Sequence, residues 1–202
     1  MYKVCNKCKS LVYYDDGKIM TTCKCGNPTD PWECDEDIYP LLRVMWQKGY
    51  ETMFSCAGHC VSRYNTDAGI WVLTNRIDVN GYISFKASNV KCADIMKYKY
   101  GTAYIDYLDP KECYKEQMIE NGIDIPEGYQ VSADDETFIK YVNDFYKEED
   151  AKNMIEHVKH CEPSYNIRSK YMHSEHSLDM YKYLMESRSD IATLVYQLPD
   201  NN

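Results

Sequence analysis

The chain of 202 residues contains no apolar run near the ~18 residues that a membrane-spanning helix requires. A membrane segment is therefore not expected. It also lacks a dense basic stretch: the richest, Lys91 to Lys99, holds only Lys91, Lys97 and Lys99. Lys and Arg number 23 against 32 Asp and Glu, for a formal charge of -9. Affinity for a phosphate backbone comes from neutralising phosphates with Lys and Arg, so general nucleic-acid binding is disfavoured. Phosphate-binding loops, dinucleotide-binding glycine motifs, zincin motifs and a local Ser-His-Asp signature are all missing. The first ten residues carry no apolar signal segment, which points to the cytoplasm. In that reducing compartment the ten cysteines read as metal ligands and not as disulfides.

What is present begins with those cysteines. Cys5-Asn6-Lys7-Cys8 is a C-x2-C knuckle, and Cys23-Lys24-Cys25-Gly26 is a tighter C-x-C pair. The intervening segment is long enough for a hairpin turning near Asp15-Asp16-Gly17, which would bring both pairs to one end. Zinc takes four thiolates in a tetrahedron, so Cys5, Cys8, Cys23 and Cys25 are expected to hold one structural zinc ion per chain. The short second spacing leaves open that Cys34 replaces one member. Residues 1–30 resemble zinc-ribbon proteins, a class too diverse to specify a function.

Beyond the turn-rich Asn27–Pro31 the character changes. Ile38, Leu41, Leu42, Met45 and Trp46 recur at helical spacing, with Asp37 as a possible cap, Pro40 in the first turn and Gly49 at the end. Residues 52–55, 69–73, 82–86 and 102–108 read as strands, and Asn80-Gly81 as a hairpin signal. Helices are expected around 89–98, 110–121, 135–147, 148–160 and 174–187, with a loose tail at 199–202. The expected fold is α+β: a ribbon over 1–31, then a domain over 32–202. Its mixed sheet core with packed helices spans 32–133, and a mainly helical C-terminal third spans 134–202.

The segment from Gly49 to His59 is the other distinctive element. Lys48, Gly49, Tyr50, Thr52, Phe54, Ser55, Cys56, Gly58 and His59, with the strand Tyr82–Phe85, resemble a recurring segment of small bacterial and phage proteins that have no assigned reaction. The resemblance covers residues 38–86. It implies a chain of phage type, acting in host cytoplasm, in host takeover or counter-defence. The serine-cysteine-small-glycine turn is also faintly similar to that of wybutosine-type tRNA methyltransferases, though His59 stands where those have arginine.

Three readings of this turn compete. Cys56 is simply buried, as free cysteine often is. Alternatively Ser55, Cys56, His59, Arg63 and Tyr64 grip a small polar ligand at a strand end. In the third, Cys56 works with His59 or Cys60 as a nucleophile, although no orienting third group is evident. Phe54 is expected to be buried behind the turn. Cys34, Cys56, His59, Cys60 and Cys92 could supply a second zinc, but their spacing is irregular. The pairs His157/His160 and His173/His176, with Cys161, could converge on a metal or line a polar helical face.

These features point to a cytoplasmic zinc-ribbon binding protein that engages a host protein or a small polar ligand such as a nucleotide. The alternative is an enzyme acting on a nucleotide or RNA through Cys56 and His59.

Overall fold

Backbone preferences set the ends of the first helix. Pro40 needs no amide partner in a first turn, and Gly49 takes the left-handed conformation (φ +85°) that ends a helix. In the computed structural model this helix, α1, spans Tyr39–Gln47. The structure describes residues 2–12, 18, 22–26, 32–65, 70–79, 81–170, 172 and 177–202, without the side chains of 59–65, 70–79 and Ser177. Ile38, Leu42 and Met45 are buried along the predicted stripe. Asp37 does not cap α1; it pairs with Arg188 at 3.0 Å, and Ile38 occupies the cap position without a side-chain bond.

The chain divides into two compact units, residues 1–106 with 166–202, and residues 107–165. The first carries the strands β1 (Tyr2–Val4), β2 (Trp32–Cys34), β3 (Thr52–Cys56), β4 (His59–Asn65), β5 (Ile70–Val79), β6 (Tyr82–Lys86) and β7 (Lys99–Tyr100). Two strands, β8 (Ala103–Leu108) and β9 (Ser164–Ser169), carry the chain into and out of the second unit. Strands β1 and β2 form a small antiparallel sheet, and β4 pairs antiparallel with β5. A five-stranded sheet runs in the order β3-β6-β9-β8-β7. The fold thus mixes α-helices and β-sheets.

Several expectations need correction. Gly81 does not turn β5 back onto β6: β6 pairs with β3, and among the described residues β5 pairs with β4. Residues 89–98 form no α-helix, only 3₁₀ turns at Ala87–Asn89 and Ile95–Lys97. The last third is mainly helical, with helices over Glu136–Phe145 and Glu148–His160 and a long final helix, but it also carries β9, which lies in the middle of the large sheet. The final helix α5 runs over Ser177–Gln197. The tail beyond it is held, not loose. Asn201 is buried, and its side chain bonds Gly49 O, Asn89 O and the Lys91 amide. The Tyr50 hydroxyl donates to Pro199 O at 2.9 Å.

The second unit holds α2 (Pro110–Glu120), α3 (Glu136–Phe145) and α4 (Glu148–His160), close to their predicted spans. Asp109 and Asp135 cap α2 and α3, accepting from the Lys111 and Phe138 amides. Met118, Phe138, Tyr141, Val142, Ala151 and Val158 form its core. No helix among the described residues is long and apolar enough to cross a membrane.

Candidate functional site

Four sulfurs gather at the N-terminal end of the chain. Those of Cys5, Cys8, Cys23 and Cys25 all lie within 4.8 Å of one another, with Cys5–Cys25 at 3.8 Å and Cys8–Cys23 at 3.4 Å. Tetrahedral thiolates at ~2.3 Å from a metal sit about 3.8 Å apart, so the cluster has the dimensions of a metal site. Each pair contributes one buried and one exposed thiol. Cys34 is not a member; it lies on β2, paired with Tyr2.

Local backbone geometry builds the cluster. Each pair is followed by a left-handed residue, Lys9 (φ +62°) after Cys8 and Gly26 (φ +80°) after Cys25. Lys9 is the one residue other than glycine with positive φ among the described residues. The chain folds back tightly at both places, Lys9 N donating to Cys5 O and Gly26 N to Cys23 O. The turn at Gly26 explains how one intervening residue suffices between Cys23 and Cys25.

Amides aimed at sulfur favour thiolate. Those of Cys8 and Lys7 hold the Cys5 thiol below its ordinary value despite burial. The Ser10 amide, with its hydroxyl, lowers Cys8 to about 6. Cys23 also receives an amide, from Cys25, yet burial and the neighbouring thiols push it up to about 12. Crowded thiols of this kind are relieved by a cation.

Lys9 also ties the cluster to α1. Its carbonyl accepts from the Tyr39 hydroxyl, and its ammonium lies 3.4 Å from the centroid of the Trp32 ring and 5.7 Å from that of Trp46. Burial lowers the Lys9 pKa, while Glu51, Cys5 and Cys8 pull it upward.

The turn after β3 is the second candidate. Cys56 closes the strand and Gly58 takes φ +76°, the conformation the tight turn needs. Two side chains distant in sequence clamp its backbone. Asp35 accepts from the Ala57 amide at 2.9 Å. Arg188 on α5 donates through Nε to Ala57 O and through a terminal nitrogen to Gly58 O, both at 2.8 Å. Burial pushes the Cys56 thiol up; the Gly58 amide opposes this, and the Asp35 carboxylate adds to it. A nucleophilic cysteine needs the opposite shift.

Sequence reasoning found neither clamp, because nothing in linear spacing links Asp35 or Arg188 to Ala57. His59, Cys60, Arg63 and Tyr64 lie on β4, whose side chains fall outside the described set, so of the expected ligand-gripping residues only Ser55 and Cys56 have described side chains.

Phe54 is not buried but 65% exposed. The pairing of β3 with β6 matches Thr52 to Phe85 and Ser55 to Ile83, leaving one extra residue on β3. That bulge breaks the alternation which would have put Phe54 on the face of buried Thr52.

The histidines divide as well. His157 Nδ1 lies 2.9 Å from the Tyr114 hydroxyl, and His160 Nε2 lies 2.9 Å from Glu156. His173 and His176 lie outside the described residues. Among the described residues, the N-terminal cysteines are the one group that could hold a metal.

No protein family, curated protein or solved structure matches the chain.

Proposed function

We propose that this chain is a binding protein built around a structural zinc ribbon. The observation that carries the reading is the closed set of four thiols at metal-site spacing. Four sulfur ligands complete a tetrahedron and leave no position for substrate, so the ion would hold the fold together. Zinc is the ion that best suits a tetrahedral all-thiolate set without redox chemistry. The clamped turn supports binding over catalysis, because the Cys56 thiol is pushed up and faces a carboxylate. The bound target is a host protein or a small polar ligand such as a nucleotide. The resemblance over residues 38–86 favours a host protein and a chain of phage type.

Native mass spectrometry of gently purified protein, combined with elemental analysis and timed thiol alkylation, tests the reading. One zinc per chain and slow modification of Cys56 are expected. Metal-replete protein without zinc, or a hyper-reactive Cys56, would overturn it.

A further inference from the structure

A cleft of about 350 Å³ opens between the ribbon and the large sheet. All three residues of β2 line it, and so do four consecutive residues of β3, Thr52 to Ser55. Successive side chains of a strand alternate between faces, so a cavity on one face meets every second residue. On β2 the run is unbroken, so the cleft borders that strand's edge; on β3 the bulge interrupts the alternation, and the edge position follows from the strand order.

Both edges are open among the described residues. β2 pairs only with β1, and β3 is the outermost strand of the five-stranded sheet. An open edge presents unpaired amides and carbonyls, which an incoming strand can satisfy. The bulge falls on this stretch of β3, and bulges often re-aim side chains beside binding sites. Here Phe54 stands at the rim, with Trp32 42% exposed on the ribbon side. Leu42 and Trp46 supply an apolar lining from α1, and the Trp46 indole is fixed by donating to Thr52 Oγ1 at 2.7 Å.

We propose that this cleft receives a short extended segment of a partner protein, added as a strand between β2 and β3. The inference rests on the binding-protein reading above and names its occupant. Strand spacing of ~4.8 Å and a rise of ~3.3 Å per residue suit a segment of about five residues, matching the length of β3. Main-chain bonds give such a complex affinity, and alternate side chains give it specificity. The segment carries an apolar or aromatic residue for the Leu42/Trp46 lining. It is neutral or basic, because the chain carries -9 and the one charged lining residue, Glu33, is acidic, though already paired with Lys3. A second copy of this chain is disfavoured, since it carries the same -9.

The test uses the full zinc-loaded chain and a displayed library of eight-residue peptides. Selected binders should carry an aromatic residue and no acidic excess. They should protect the amides of residues 53–55 from hydrogen exchange and lose binding when N-methylated at every second position. Phe54→Ala should weaken them at least about tenfold, as for an aromatic interface anchor, with zinc content and melting temperature unchanged.

Three results would overturn the proposal. One is a library without binders, or binders indifferent to Phe54→Ala and to N-methylation. Another is a concentration-dependent dimer abolished by Phe54→Ala. The third is adenosine or indole occupying the cleft where peptides do not. A ligand retained in native spectra of the Phe54→Ala variant would leave the binding-protein reading standing and remove only the cleft.

Discussion

The ribbon and the 107–165 unit solve the same problem with different materials. The 107–165 unit closes three helices, two of them capped by Asp109 and Asp135, over an apolar core that includes Phe138, Tyr141 and Val142. The ribbon's buried cluster is Cys5, Val12 and Cys23, so two of its three members are metal-type ligands. A segment that small cannot bury enough apolar surface to offset its chain entropy. On the proposed reading a metal held by the four thiols would stand in for the missing core; in the unit of three helices apolar packing takes that part.

The largest test of this contrast is ligand removal. Cys8→Ser should abolish zinc binding and unfold residues 2–12 and 22–26, because structural zinc contributes on the order of 10 kcal/mol to such modules. Hydrogen exchange over α3 and α4 should not change. Cys113→Ser, within α2, should leave the metal content at one.

The converse substitution is Phe138→Ala. A fully buried ring is lost, so about 3–5 kcal/mol of the stability of the 107–165 unit should disappear, while zinc stoichiometry stays constant. A melt of the variant followed by both tyrosine fluorescence and zinc release would separate the two transitions. If both shift together, the two regions are not independent in the way their cores suggest.

The smallest effect concerns a cap and its charge. Asp135 accepts from the Phe138 amide and from the Tyr129 hydroxyl, and the Tyr129 bond is the chief cause that holds its carboxyl below the usual range. A depressed carboxylate stabilises above its unfolded pKa near ~4 and loses that contribution as pH falls through its folded value. Asp135→Ala should therefore cost about 1 kcal/mol at neutral pH. The difference from the parent should shrink steadily below pH ~4 in acid-unfolding curves. The ribbon should be acid-sensitive for another reason, since protons compete with zinc for its thiolates.

Legibility in the sequence followed the range of the interactions. The cysteine cluster, the Pro40 entry and Gly49 exit of α1, and the spans of α2, α3 and α4 are set by neighbours a few residues away. The features that escaped depend on distant partners. Ser164–Ser169 has no strong alternation of its own and becomes a strand between β6 and β8. Phe54 faces outward because β6 pairs with β3 around one extra residue. Asn201 is fixed by Gly49 and Asn89, and Ala57 by Asp35 and Arg188, contacts that no local pattern encodes.

The position of β9 also orders events on the ribosome. Strands β6 and β8 emerge early, yet the strand that joins them follows only after all of α2, α3 and α4. At ~5–20 residues per second that delay is on the order of seconds, long compared with helix formation. The nascent sheet must wait as two halves, β3-β6 and β8-β7, each exposing an edge where β9 will later sit. During this interval the intervening helical unit can fold ahead of the sheet it interrupts. Codon choice across residues 109–163 should then govern how long those edges stay open to chaperones, and so the yield of native chain.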